Sequence, residues 1–583
     1  MAELAASTQP VERINLVYRS EASGEDVELP FRALVLADFT LDARSAEFID
    51  QEPVHVTGEN LDAVLAGLAP VLRIQVEDKL SDLPMGPLDV ELKFSSLQDF
   101  SPDRVVTQIP ACASLIAQRE RLINLRRKMD RAGEGGITLM PSAEERELIK
   151  QLADGGSIHS LDPDMIGQFV AEIDGRLSKQ MDAVMHHPSF RGLEGAWRGL
   201  AFVLARTDER ENCRVHILNV SKQALLEEFE DVPEVTQSRL YELVYAAEFG
   251  QFGGKPFTVL AGDYSFGPSA QDVRLLQQLG AVAAMAHAPF LAGVAPAFFN
   301  LDSWSALAQL RDIKSILEQP AFAKWNGFRA TEDARYVGLA MPGFLLREPY
   351  GANLRANRFE YTETFTGRRQ AGLWGNCAFA LLTRMLSSFA QYRWCVNMTG
   401  QHDGRVSGLS AGGDGKIPTE VLISDRREAE LAASGFIPLA VHKSDGRVAF
   451  FSANSVQSVS AFAEAADREA DIGMRLGAQL PYLLVICRIA HYVKVMQREH
   501  IGSWSRPVEI ERELNNWLKQ YVADMDNPAP GVRGRRPLRK AAVSVREIPG
   551  KSGWYLIDLS VTPHIKYMGS QFTLGATGKL DKQ

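Results

Sequence analysis

Hydrophobic and polar residues alternate through much of the first hundred positions. In RINLVYR (13–19), Ile14, Leu16 and Tyr18 point one way while Arg13, Asn15 and Arg19 point the other, the period of a half-buried strand. Leu34–Ala37 is continuously apolar and predicts a buried strand. Leu72, Ile74 and Val76 alternate with Arg73, Gln75 and Glu77, and Leu88, Val90, Leu92 and Phe94 with Asp89, Glu91 and Lys93. Between these strands, Asn60 is placed to cap a short helix whose apolar face is Leu61, Val64, Leu65 and Leu68. Ser101-Pro102 offers a cap and a first-turn proline for one long basic helix, with Leu115, Leu122, Leu125 and Met129 at helical spacing. These elements predict a compact α/β unit over residues 1–129.

The pattern lapses over 130–163, where DRAGEGGITLMPS and DGGSIHSLDPD flank a short helical run, AEERELIKQLA; this stretch reads as a linker. A large α/β body follows over 164–505, opening with the helix MIGQFVAEIDGRLSKQMDAVMHH. Val215–Val220 and Thr258–Ala261 look like strands, Gln271–Ala286 and Ala378–Ser388 like helices, and SGLSAGGDGK (407–416) like a break. In the last region, 506–583, residues 507–522 predict a strongly amphipathic helix with Ile510, Leu514, Trp517, Leu518 and Tyr521 on one face. Glu509, Glu511 and Glu513 suit the positive end of its dipole. Val543 and Val545 then alternate with Ser544 and Arg546, a turn falls at 549–553, and Tyr555, Ile557, Leu559 and Val561 line a second strand that Pro563 ends. HIKYM and QFTL could pair as a last short unit. The fold class is mixed α/β, multi-domain, with strands near both ends. Such strands are readily lent to a neighbour's sheet edge.

A chain of 583 residues is too long for one ordinary core, so two to four domains are expected. Its 45% hydrophobic and 23% charged residues are those of globular protein. Net charge is −10, which argues against a dedicated nucleic-acid binder. Residues 1–100 hold 7 basic and 19 acidic residues, while 101–130 hold 6 basic and 3 acidic. That asymmetry can guide docking between subunits. Five cysteines, none in a CxxC pair, fit buried thiols in a reducing compartment. The first residues lack the charge and apolar run of a signal peptide, and no apolar run reaches membrane-spanning length. A cytoplasmic location without membrane insertion is the expectation.

Motifs that could carry chemistry fail their own requirements. GLSAG (408–412) matches G-x-S-x-G, but an α/β hydrolase using Ser410 needs a strand-to-helix elbow, and this serine reads as loop. GGDGK (412–416) and PGKSG (549–553) lack the leading glycine of a phosphate loop, since Ser410 and Val545 occupy that position. His186 and His187 are adjacent and cannot share a helix face, and His491 and His500 fit no common zinc spacing. Asp263 stands where α/β enzymes often place an acid, but alone. RGRRPLRK (533–540) has no interleaved aromatics for nucleic acid. No catalytic, metal or cofactor site is therefore expected.

Longer stretches carry a resemblance. RINLVYR, ELPFRALVLADFT and LDVELKFSSLQDFSPDRVVTQIP make residues 11–128 similar to TssB, the small sheath subunit of the type VI secretion system. Residues 166–576 resemble the large subunit, TssC, through HHPSFRGLEGAWRGLAFVL, AEFGQFGGKPFTVLAGDYSF, FRATEDARYVGLAMPGFLLREPYG, LWGNCAFALLTR and RIAHYVKVMQREHIGS. The resemblance implies a contractile sheath: a helical polymer around an Hcp tube, built on a baseplate, with distal-end components and terminal strands exchanged between protomers. It further implies recycling by ClpV, an AAA+ ATPase, which this chain puts in doubt because the segment that carries the recognition helix is internal here. Ala143–Ala153 and Asp164–Met181 are the candidates for that helix. A donated strand would carry Ile14, Leu16 and Tyr18, and its acceptor would carry Val543, Val545, Tyr555, Ile557 and Leu559. Glu509, Glu513 and Lys519 are candidates to face the tube. The sheath of a related phage tail-like injection particle is the alternative within this class.

Overall fold

A computed structural model describes residues 16–19, 24–41, 48–80, 86–134, 163–351, 354–365, 372–410, 418–441, 446–458, 477–499, 507–525, 532, 536, 538–547, 555–564 and 574–580. The first elements are β1 (Tyr18–Arg19) and β2 (Asp26–Val27), paired antiparallel, and β3 (Phe31–Ala37). Arg32 is the one polar residue of β3, and the strand is buried almost throughout, as suits a strand covered on both faces. Next come β4 (Val54–Val56), α1 (Leu61–Leu68), β5 (Val71–Glu77) and β6 (Pro87–Lys93). β5 and β6 pair antiparallel, and their alternation buries Leu72, Ile74, Val76, Val90 and Leu92.

Two local expectations change. Asn60 precedes α1, but its side chain turns backwards: it accepts from Thr57 N at 2.7 Å and donates to His55 O at 3.2 Å, so it makes no cap bond to the helix. The single long basic helix is two, α2 (Pro102–Gln108) and α3 (Pro110–Glu134). Pro110 has no N–H to continue the first helix and a φ already suited to starting the second.

The rest of the chain supplies α4 (Pro163–Met185), α5 (Pro188–Leu204), β7 (Cys213–Asn219), α6 (Lys222–Asp231), β8 (Val259–Phe266), α7 (Ala270–Ala286), β9 (Phe290–Val294) and β10 (Val337–Met341). After these come β11 (Phe344–Arg347), β12 (Leu373–Gly375), α8 (Cys377–Tyr392), β13 (Arg405–Ser410), α9 (Asp425–Ala433), β14 (Phe436–Val441) and β15 (Arg447–Phe450). The last are α10 (Leu480–Glu499), α11 (Pro507–Lys519), β16 (Leu538–Glu547), β17 (Tyr555–Pro563) and β18 (Leu574–Leu580).

Nine strands form the main sheet in the order β13-β15-β14-β10-β9-β8-β3-β7-β4. From β14 to β7 neighbouring strands run parallel; β4 closes one edge antiparallel, and β15 and β13 close the other. β3 pairs with β7 from Phe31↔Cys213 to Ala37↔Asn219, and with β8 from Ala33↔Val259 to Leu36↔Gly262. The segment read as a compact unit therefore contributes a central strand to a sheet whose other central strands all follow residue 212. Side chains tighten the union. Trp197 Nε1 donates to Phe39 O at 3.1 Å, the Asp103 carboxylate accepts from the N–H groups of Asn357 and Arg358 at 2.9 Å, and Arg119 Nη2 meets Asp174 Oδ2 at 2.9 Å. One apolar core runs from Phe31 to Cys487. A second gathers Leu16, Tyr18, Leu29, α10, α11 and strands β16 and β17 of the three-stranded sheet β16-β17-β18.

Candidate assembly site

α11 keeps the apolar stripe that its sequence shows. Ile510, Leu514, Trp517 and Leu518 are buried, as is Tyr521 just beyond the helix, while Glu509, Glu513 and Lys519 are exposed. The buried stripe meets Val543 and Val545 of β16 and Ile557, Leu559 and Val561 of β17. Leu16 and Tyr18 pack into the same cluster. The structure thus brings six of the eight expected strand-exchange residues together within one chain. Ile14 lies outside the described residues, and of Tyr555 only the backbone is described, paired with Glu547 and Leu580.

The N-terminal segment is held mainly by side chains that grip its backbone. Trp517 Nε1 donates to Val17 O at 2.7 Å, and Tyr521 OH accepts from Val17 N at 3.1 Å. Tyr492 OH, on α10, donates to Leu16 O and accepts from Leu29 N at 2.8 Å. The Tyr18 ring stands edge-on to Tyr492 at 6.1 Å. Arg488 donates to Leu29 O at 3.0 Å, and Arg393 reaches Glu28 at 3.4 Å. Tyr492 and Arg488 were not singled out from sequence, because LPYLLVICRIAHYVKVMQRE is apolar on most sides and reads as core helix.

α11 also serves the edge of β16. Asn515 Nδ2 donates to Val543 O at 2.7 Å while its Oδ1 accepts from Val543 N at 3.0 Å. Glu511 Oε2 accepts from Val545 N at 3.0 Å. On the far side of the sheet, β18 pairs with β17 from Tyr555↔Leu580 to Val561↔Leu574; residues 565–573, which hold nearly all of HIKYM and QFTL, lie outside the described residues.

The chemical candidates that fall on described residues take structural partners. Ser410 is the last residue of β13, not a loop residue, because Arg447 of β15 offers it a ladder partner; residues 411–417, including GGDGK, lie outside the described residues, as do PGKSG and His500. His186 Nε2 faces Glu363 Oε1 at 3.2 Å, and His187 caps α5 by accepting from Ser189 N at 3.3 Å. His491 is buried with Nε2 2.9 Å from Ala286 O, and burial pulls its imidazole down to about 3. Burial pushes the Asp263 carboxyl up to about 6 against a hydrogen bond from Asn376. In the basic run, Arg539 meets Asp524 at 3.5 Å; Arg533 and Arg535 lie outside the described residues. All five cysteines are buried and free, and burial pushes Cys112 and Cys213 up to about 12. Among the described residues no group of three metal-ligating side chains gathers, and no helix is long and apolar enough to cross a membrane.

Comparison with known proteins accounts for both halves. Residues 167–457 match the model of the EvpB/VC_A0108 tail sheath N-terminal domain, and 469–580 that of its gpW/gp25-like domain. The sheath protein TssC1 of Pseudomonas aeruginosa is 36% identical over 468 residues, covering 78% of this chain and 92% of that protein. The chain belongs to the type VI secretion sheath family. The same chain carries the small-subunit family too. Residues 6–154 match the type VI secretion VipA model, and TssB1 of Pseudomonas aeruginosa is 29% identical over 147 residues, 24% of this chain and 83% of that protein. Solved structures with a looser likeness include the contracted helical sheath of the anti-feeding prophage (TM-score 0.32, 12% identity, 66% of this chain and 78% of that one). The baseplate of the same particle gives a TM-score of 0.33 at 9% identity, over 66% of this chain and 77% of that one. This chain is thus a sheath subunit that joins the two type VI sheath families in one polypeptide.

Proposed function

We propose that the chain is the repeating unit of a type VI sheath, with both subunits in one polypeptide. It polymerises around an Hcp tube on a baseplate, and it contracts to drive tube and spike into a target cell. The observation that carries this reading is the match of both sheath families to one chain, with β3 of the first lying between β7 and β8 of the second. Fusion replaces association of two subunits with an intramolecular contact and fixes their ratio at one to one. The unit works in the bacterial cytoplasm, with the sheath attached to an envelope-anchored baseplate. It acts mechanically, without catalysis, metal or cofactor.

In the polymer, the segment with Ile14, Leu16 and Tyr18 leaves its own chain and joins the C-terminal sheet of a neighbour, the sheet that contains Val543, Val545, Tyr555, Ile557 and Leu559. The way it is held supports such a release: Val17 and Leu16 are gripped by a few side chains rather than by a ladder of the C-terminal sheet, and only Tyr18 and Arg19 pair with a strand, the two-residue β2. Glu509, Glu513 and Lys519, exposed on α11, face the tube. Of the two candidate ClpV helices, Ala143–Ala153 lies outside the described residues, and Asp164–Met181 has Ile166, Ile173, Leu177 and Met181 buried. A helix whose apolar face is buried is a poor handle, so recycling by ClpV requires that α4 first detach.

Electron microscopy of the purified chain with and without residues 1–20 tests the reading. Full-length protein forms filaments; the truncated form stays folded, by circular dichroism and melting, but forms none. Filaments unchanged by the deletion refute strand donation, and no filaments from the full chain under any assembly condition refute the sheath unit.

A further inference from the structure

We propose that α11 closes one edge of the C-terminal sheet, so that a strand from a second copy of this chain adds only beyond β18. The proposal rests on the strand-exchange reading above. In an antiparallel ladder the N–H and C=O of one residue point to the same side. Both groups of Val543 are taken by Asn515, so they face away from β17, and Val545, two residues on, faces the same way. The Asn515 carboxamide makes with Val543 the pair of bonds that a residue of an added strand would make. Its donor nitrogen is also fixed by Glu511 O at 2.8 Å, which sets the orientation of the amide. Further along this edge, Leu538 O accepts from Ala523 N at 3.0 Å, just after α11. An added strand would have to displace all of these bonds.

β18 differs. It pairs with β17 along its full length, and among the described residues no strand lies on its other side. Its sequence, LGATGKL, places Gly575, Ala576 and Gly578 in the strand, residues that let another backbone approach closely. An unpaired ladder edge is completed by another strand. In a sheath built of copies of one chain, the strand at hand belongs to a second copy.

Ser544 on β16 and Thr577 on β18 both pair with Asp558, so they report on the two edges symmetrically. An Arg19→Cys chain is mixed with either a Ser544→Cys or a Thr577→Cys chain, assembled, and treated with a short bis-maleimide. The buried native thiols do not compete. The expected cross-linked dimer forms with Thr577→Cys and not with Ser544→Cys. Adding Glu511→Ala and Asn515→Ala to the acceptor opens the first edge, so a Ser544→Cys dimer appears and the Val543 and Val545 amides exchange faster with deuterium. A Ser544→Cys dimer in the unaltered background, or amide exchange unmoved by the double substitution, overturns the proposal while leaving strand exchange standing. Filaments that cross-link at neither position overturn strand exchange itself, and the proposal with it.

Discussion

Arg347 stands between two buried carboxylates. Its Nε lies 3.0 Å from Glu194 Oε1 and its Nη1 2.8 Å from Glu363 Oε2. Removing the guanidinium takes one charge partner from each of two buried carboxylates and leaves Glu194 to Arg198 and Glu363 to His186 and the Tyr350 amide, so Arg347→Met should cost about 3–5 kcal/mol, read from the denaturation midpoint. Burial alone would raise the Glu363 carboxyl, but hydrogen bonds from His186 and Arg347 outweigh it and hold it at about 2, below its ordinary 4.5. A depressed carboxylate contributes its full stability above the unfolded value and loses it as pH falls through the folded one. Stability should therefore drop between about pH 4.5 and pH 2, and Glu363→Gln should flatten that part of the curve. An equal acid slope in the variant would show that the charge is not coupled to folding. Gly199 of α5 tests packing at the same scale. A Cβ there would lie 2.4 Å from Cε2 of Phe379, which is itself buried on α8. Gly199→Ala should destabilise by about 1–3 kcal/mol in thermal or urea unfolding.

At the scale of elements, the N-terminal segment depends on one phenol. Tyr492→Phe removes the group that joins Leu16 O to Leu29 N and leaves both backbone groups buried without it. The expected loss is about 1–3 kcal/mol. Hydrogen exchange would place it, with the Leu29 amide opening before the ladder of β3; uniform exchange across both would count against a local anchor. The elements differ in how plainly the sequence announces them. α11 was legible because Ile510, Leu514, Trp517 and Leu518 recur at 3.6-residue spacing against charged neighbours. The alternating strands β5, β6, β16 and β17 were legible for the same kind of reason. The place of β3 was not, because its neighbours β7 and β8 begin at Cys213 and Val259 and long-range pairing leaves no local trace. Ser410 read as loop from its glycines, but β15 recruited it as a strand end. In the sequence, Asn515 is one more polar position beside the apolar stripe of α11. Its service to the β16 edge depends on a strand almost thirty residues later.

For the whole molecule, the question is whether the two family segments are independent bodies tied together or one fold that happens to be continuous. The position of β3 argues for one fold. Without β7 and β8, both sides of its ladder are bare and its apolar faces are uncovered, the condition that leads to aggregation. Cutting the chain within 135–162 gives a direct test. Residues 1–134 expressed alone should be insoluble, while the same segment expressed together with 163–583 should co-purify with it at one to one. The melting temperature of the split pair should rise with protein concentration, because folding then includes association, whereas that of the intact chain should not. The gap between them measures the effective concentration that fusion supplies. A soluble 1–134 fragment with its own sharp melting transition would instead make the small-subunit segment a domain in its own right, with β3 a strand that it lends.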